Sequence, residues 1–478
     1  MRATRPTSSI VSQSALTALL ALAGCSSPAP TTDAAVVAPD TGTPPPNDTG
    51  VRPDAFMRVD AGPLPLCTGA GCDLVGLELM GESSCVIRAN GQVDCWGRGQ
   101  NGELGDGAMR HSDNCRLTAG EPDTDCSRAA VTVRLPAPAE SITSRGSYQM
   151  CALLTGSGEA WCWGSQHYRL GSQLEHDRFD PEHVMIGSTA IADGTAQIAT
   201  SFANLCFIAS DTTVQCVGSG RSGVLGDGTF NDATMPVTAL MADGTTPLTG
   251  VLEVDTQGGH TCARTATHLY CWGNNHYNQL GVAPPHQTCV ASPTMYDCSY
   301  VALEVTGVDA TTVVDIQLGD DFSCVLHSTG HVQCWGGGQT GGLGTGDINS
   351  TVAPVEPMGL SSVDELRVVD GNACALRHDG SVWCWGPADV GQIGDGSMVH
   401  TTTPCINGAG APYDCQLTPT QVTGVSGVSH IGVGGGHACA LTTTGEVWCW
   451  GQSLRYQLGD AMRAMPSFSP VRVIALGS

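Results

Sequence analysis

The sequence predicts an all-β protein: a seven-bladed β-propeller with four-stranded blades, preceded by a signal peptide and a disordered tether. Three observations carry that reading. A unit anchored on a cysteine recurs seven times, at Cys85, Cys151, Cys206, Cys262, Cys324, Cys374 and Cys439, with 50 to 66 residues between copies. A period in this range marks a propeller or a solenoid. Each unit holds a hairpin closed by a cysteine pair, with two further strand signals upstream, as in PTQV (419–422) and VSHIGV (428–433) before CALTTTGEVWC (439–449). Four-stranded units repeated radially form a propeller.

The first element is the leader. Arg2 and Arg5 precede the short apolar run ALTALLALA (15–23), too short to span a bilayer. It ends in Leu22-Ala23-Gly24-Cys25, which resembles a bacterial lipobox. We therefore expect residues 1–24 to be a lipoprotein signal peptide and Cys25 to carry the lipid. Ser26 follows where an aspartate would favour inner-membrane retention, so an outer-membrane location is expected. Residues 25–66 are rich in Pro, Thr, Ala and Asp and cannot bury enough apolar surface to fold; they read as a stiffened linker. The propeller is expected over 67–478.

Cysteine usage agrees with export. The chain has 23 cysteines, and once Cys25 is set aside the rest fall into close neighbours. Seven pairs lie within the hairpins: Cys85 with Cys95, Cys151 with Cys162, Cys206 with Cys216, Cys262 with Cys271, Cys324 with Cys334, Cys374 with Cys384 and Cys439 with Cys449. Four more are Cys67 with Cys72, Cys115 with Cys126, Cys289 with Cys298 and Cys405 with Cys415. Even pairing in an exported chain reads as disulfides. Zinc would want C-x-x-C knuckles, and the sequence has none. In the last hairpin, setting Cys439 opposite Cys449 makes Leu441 face Val447 around the loop Thr443-Thr444-Gly445, whose final glycine suits a left-handed position. Directly opposite residues at a non-hydrogen-bonded site are close enough to bridge.

All nine tryptophans lie in this motif. Six follow the second cysteine: Trp96, Trp163, Trp272, Trp335, Trp385 and Trp450. The third copy has Val217 instead. A sugar-binding platform is conceivable, but one register in successive blades points to packing between blades. The C-terminal PSFSPVRVIAL (466–476) is a spare strand, and copy one begins without one, so the last strand is expected to complete the first blade.

The glycines of CWGRGQNGELGDG (95–107) satisfy G-x-G-x-x-G, a nucleotide-loop pattern. A phosphate loop needs a following helix, and ELGDGAMRHSDN (103–114) has little helical period. The pattern returns at 218–228 and 336–346, so it belongs to the repeat. The Asp-Gly pairs at Asp106, Asp227 and Asp395 share one register and read as turns. We expect no metal and no cofactor, although a calcium at one such turn stays open.

Charge narrows the partners. With 20 basic residues, none of them lysine, against 45 acidic ones, the net charge is −25. Nucleic-acid binding needs the opposite balance. We expect no nucleic-acid partner, membrane contact only through a lipid anchor, and a monomer.

The repeat resembles that of the regulator-of-chromosome-condensation family. GGHTCAR (258–264) and GGGHACAL (434–441) carry its histidine at His260 and His437, read here as structural hydrogen-bonders. GELG (102–105), NQLG (278–281) and YQLG (456–459) match its tail. The likeness covers about 73–476 and implies a seven-bladed propeller. Founding members promote guanine nucleotide exchange on a small GTPase and bind chromatin; export and negative charge put this chain where neither partner is expected. The cysteine pairs look like those of exported bacterial versions.

No catalytic constellation such as H-E-x-x-H or G-x-S-x-G occurs. The expected function is a non-catalytic, surface-displayed platform that binds a protein or envelope glycan. The alternative is a hydrolase or lyase acting on envelope polysaccharide with acids in a central pocket. Long connections follow the tails of copies one, two, four and six, and those of copies one, four and six (106–133, 283–301 and 395–418) each carry their own cysteine pair. Ring symmetry puts them on one face. Met295, Tyr296 and Tyr413 are the candidate partner-binding anchors.

Overall fold

The computed structural model describes residues 73–115, 124–144, 148–165, 177–186, 189–190, 197–284, 287–291, 294–400, 404–406, 410–460 and 465–476. The leader, the tether and Cys25 lie outside the described residues, and so does the bridge expected between Cys67 and Cys72.

Seven antiparallel sheets make the ring. Each runs from an innermost strand, through the hairpin, to an outermost strand. In blade one these are Leu74–Leu79, Ser83–Arg88, Val93–Arg98 and Asp125–Thr132. In blade seven they are Val428–Val433, His437–Thr442, Val447–Gly451 and Ser467–Arg472. The inner strands are buried on both faces even where they carry polar side chains such as Asp315 and Gln317; the outer ones are half-exposed.

The closure differs from the expectation. The first three residues of PTQV belong to Cys415–Gln421, which pairs with the hairpin of copy six, Cys384 opposite Thr420. The C-terminal strand pairs with the hairpin of its own copy, Cys449 opposite Val471. Every blade therefore takes its four main strands from one repeat, with short extra strands inserted in the long loops of blades one, four and six, and its outermost strand follows the tail. The physical reason is the tail itself. It turns the chain back beside the third strand, so the next extended segment is already adjacent and antiparallel to it. The ring closes through side chains and a short tail instead. Ala130 N–H donates to the Ala475 carbonyl at 3.0 Å, and Leu74, Leu77 and Trp96 share one apolar cluster with Cys439, Leu458 and Val473.

The hairpin bridges form as their spacing implies. Cys85 is bonded to Cys95, Cys151 to Cys162, Cys206 to Cys216 and Cys262 to Cys271. Cys324 is bonded to Cys334, Cys374 to Cys384 and Cys439 to Cys449. All seven join directly opposite residues with Cα atoms 4.0 to 4.1 Å apart. The extra residue before Cys162 and the missing one before Cys271 are absorbed in the turns, so the opposed register survives in copies two and four. A bridge closing about eleven residues contributes roughly 3 kcal/mol in the chain-entropy model.

The six tryptophans after the second cysteine are buried at the seams. Each indole Nε1–H donates to a backbone carbonyl in the preceding blade's tail: Trp96 to Gln457, Trp163 to Glu103, Trp272 to Val224, Trp335 to Gln279, Trp385 to Gly342 and Trp450 to Gln392, at 2.7 to 3.1 Å. The glycine of each Leu-Gly pair lies against that ring. A Cβ on Gly105 would come within 2.7 Å of Trp163, and its φ of +63° also favours glycine.

Two seams add a histidine latch. His260 Nε2 contacts Ser323 Oγ at 2.9 Å, and the Ser323 hydroxyl donates to the Gln279 carbonyl already held by Trp335. His437, Ser84 and Gln457 repeat this with Trp96. Because the serine proton goes to the carbonyl, the histidine Nε2 carries the proton that serine accepts. Histidine stands only where the next blade offers serine. Where the next blade instead offers Met150, Leu205, Ala373 or Ala438, the position holds Ser83, Gln149, Phe322 or Asn372.

Burial pushes both histidines down to about 3. Below about pH 6.5 the unfolded chain binds a proton at each that the folded chain refuses. Stability therefore falls as pH falls, by about 1.4 kcal/mol per pH unit for each ring. We predict that His260→Asn/His437→Asn, which copies the asparagine that blade three carries at Asn204, flattens the pH dependence of urea unfolding between pH 6.5 and 5 by up to that amount per histidine. Equal slopes for variant and wild type contradict the neutral latch.

Candidate functional site

The three stapled loops lie on the face formed by the tails and by the turns between the first and second strands. Their bridges join Cys115 to Cys126, Cys289 to Cys298 and Cys405 to Cys415, with Cα atoms 5.9 to 6.0 Å apart. Each loop leans on the tail of the preceding blade. In loop one, Cys115 and Cys126 pack on Tyr456, and Arg455 Nη1 donates to the Cys115 carbonyl. In loop four, the Tyr296 hydroxyl meets Ser222 Oγ at 2.8 Å. In loop six, Ile406 N–H donates to the Gln339 carbonyl at 3.1 Å.

This contact explains the glycine pattern. Gly102, Gly223, Gly341 and Gly391 have φ between +77° and +85°. A Cβ on Gly102 would overlap the Arg178 backbone of the next blade, and one on Gly223 would come within 2.6 Å of Tyr300 Cα. The Asp-Gly glycines continue the seam: the amides of Gly107, Gly228 and Gly396 donate to the carbonyls of Phe179, Tyr300 and Phe468. The glycines let backbones approach; they cradle no phosphate.

Loops one and six share a clamp that the sequence reading missed. His111 Nδ1 meets Asp125 at 2.6 Å and Nε2 meets Asp106 at 3.1 Å. His400 binds Asp414 and Asp395 in the same way at 2.8 and 3.2 Å. The Asp125 carboxylate holds the His111 ring above its usual range. A signal was available: in both loops the aspartates sit five residues before and fourteen after the histidine.

Of the proposed anchors, Met295 is 69% exposed. Tyr296 is half-buried between Ser222 and the edge of His276. Tyr413 is half-buried too, and burial beside Asp389 pushes its hydroxyl up to about 12. Tyr296 belongs to the seam of blades three and four, and Tyr413 to loop six, so they do not form one cluster. Sequence reasoning missed a second apolar register. Four residues beyond the Leu-Gly glycine stand Met109, Phe230 and Met398, 73%, 44% and 72% exposed on this face.

A cavity of about 920 Å³ opens beside loop four, with Phe202, Phe230 and Tyr296 on its walls and Gln257 and Asp320 at its inner end. There, turns of successive blades abut around the axis. Asp320 N–H donates to the Asp370 carbonyl, and Gln257 Nε2 reaches both carboxylates at 3.2 and 3.3 Å. Burial, then the neighbouring Asp320, pushes Asp370 up to about 8 and Asp321 to about 6. On the opposite face a cavity of about 530 Å³ is lined by Glu365, Arg367 and His430. Arg367 there pairs with Glu365 at 2.8 Å and lies 4.0 Å from Asp315.

The fold and this face define a class: a rigid seven-bladed β-propeller whose loops present a shaped surface. Models of the regulator of chromosome condensation (RCC1) repeat match residues 268–326, 313–341, 379–441 and 428–457. Over residues 268–341 and 379–457 the chain carries repeats of the regulator of chromosome condensation family. It is 26% identical over 288 residues to human E3 ubiquitin-protein ligase HERC2, a match covering 59% of this chain and 5% of that protein. It is 26% identical over 272 residues to the ultraviolet-B receptor UVR8 of Arabidopsis thaliana, covering 56% of this chain and 54% of the receptor. The chain thus spans a small part of the first of these relatives and about half of the second. Among solved structures, Prp20p from Saccharomyces cerevisiae superposes with a TM-score of 0.61 at 18% identity, over 85% of this chain and 90% of that one. Human WBSCR16 gives 0.59 at 18% identity, over 80% and 93%. At these identities the structural likeness establishes the fold.

The bridges predict a simple mass result. Alkylation without reduction should leave the twenty cysteines of the ten described bridges unmodified in the native chain. Modification of any loop pair contradicts the stapled geometry.

Proposed function

We propose that the chain is a non-catalytic binding platform of the bacterial envelope, which recognises a protein or glycan through its stapled face. The observation that carries this reading is the three loops, each bridged and each seated on the neighbouring blade. A pre-organised loop loses little freedom on binding, and loops on a rigid scaffold are where binding usually resides. Exposed Met109, Phe230, Met295 and Met398 give the face apolar contact area. Prp20p is described by its binding to Gsp1p and histones, which supports a binding role for the fold.

In this proposal residues 1–24 direct export, Cys25 carries the lipid, and residues 25–66 hold the propeller away from the outer membrane. The Asp320–Asp370 pair favours a second reading, hydrolysis or elimination on an envelope polysaccharide. Sugar release from purified envelope polysaccharide that is lost in Asp370→Asn would replace the first reading with this one.

Two experiments test the platform. Cys25→Ser should move the protein from the membrane fraction to the soluble fraction or block its processing; unchanged fractionation and migration contradict the anchor. Replacing 116–125, 290–297 and 406–414 with short Gly-Ser links should abolish capture of the envelope partner while the propeller still unfolds cooperatively. Unchanged capture would move the site to another surface.

A further inference from the structure

We propose that the cavity between blades three and four binds a protein segment that inserts an arginine or lysine side chain, flanked by apolar residues, toward Asp320, which lines the cavity and is tied through Gln257 to Asp370 behind it. The proposal deepens the platform reading and rests on it. Three features select this occupant.

The lips are apolar and open. Phe202 is 56% exposed and Phe230 44%, with Phe230 edge-on to Tyr300 at 5.0 Å. Aromatic rings offer large contact area with fixed geometry, which suits aliphatic or aromatic neighbours of the inserted residue. Arg221 and Asp232 at the rim carry opposite charges, so the floor supplies the acidic part.

The floor is built for donors. Asp320 and Asp370 share one donated amide, that of Gln257, and Asp321 follows Asp320 in the chain. Gln257 is only 5% exposed, yet its Oε1 has no hydrogen-bond partner. A buried acceptor left unpaired is costly. The Asp320 carboxyl faces the cavity with acceptor capacity left over from its single Gln257 donor, and what this acidic cluster lacks is a cation with several N–H groups. A guanidinium carries five donors and an ammonium three, and hydrogen bonds to charged groups are the stronger kind.

The charge of the whole chain points the same way. A net charge of −25 attracts a basic segment and steers its approach.

The test uses the purified full chain and a fluorescent nine-residue peptide with a central arginine flanked by leucine and phenylalanine. A second peptide replaces the arginine with citrulline, which keeps the shape and removes the charge. Fluorescence anisotropy should show the arginine peptide binding wild type about tenfold more tightly, the factor separating a charged from a neutral hydrogen-bond set. Asp320→Asn/Asp370→Asn should bind both peptides alike, and Phe230→Ser should weaken both. Equal binding of the two peptides by wild type overturns the proposal, as does absence of binding or an arginine preference that survives in the double variant. The first comparison needs no variant, so a folding defect cannot mask it. If loop replacement abolishes partner capture while the peptides bind equally, the platform stands and the cation pocket falls. If the arginine preference holds while loop replacement leaves capture unchanged, the platform reading falls.

Discussion

A backbone carbonyl near the end of six repeat tails is the point on which the ring depends. It is buried at a seam, where water cannot satisfy it, and the next blade answers with a tryptophan Nε1–H. Six seams use that bond. The contact explains why the tail ends in Leu-Gly: a side chain in place of the glycine would strike the indole. Nearer the axis, polar side chains bridge neighbouring inner strands. Gln197 accepts from Val254 N–H, Glu253 from Ile316, Gln317 from Val368 and Glu365 from Ile431. Strands of different blades cannot pair directly, so these side chains satisfy amides that would otherwise be orphaned.

The same requirement sets where function can develop. Blade cores and seams are committed to closing the ring, and the hairpin disulfides lock each blade. Variation is left to the connections after the tails, three of which gain bridges of their own. Because each long loop rests on a preceding tail, its glycines do two things at once. They let the blades approach, and they let the stapled loops seat.

Much of this was legible in the sequence. Period, cysteine pairing, hairpin register and the seam role of the tryptophans follow from local rules: alternation, turn glycines and the reach of a disulfide. The blade boundary was not, because an extended segment such as PTQV is equally close in sequence to the hairpins on either side of it. Only the folded tail decides which one it joins. The acidic centre was also hidden. Asp320 and Asp370 stand at the same repeat position, four residues before Cys324 and Cys374, where other copies have Gly81, Phe202, Gly258 and Gly435, but only the ring brings the two to one glutamine. The clamps at His111 and His400 were visible as an offset repeated twice, but only comparison of the two loops exposes it.

The most direct test of the seam account is a double-mutant cycle on the Gln279 carbonyl, which accepts from both Trp335 and Ser323. Trp335→Phe and Ser323→Ala each remove one donor and leave the other. The pair removes both and orphans a buried carbonyl, a penalty of about 1 to 3 kcal/mol beyond a lost bond. Urea unfolding should therefore show the double variant destabilised by at least about 1 kcal/mol more than the sum of the single variants. Additivity within a few tenths of a kcal/mol would contradict the claim that this shared carbonyl holds the seam.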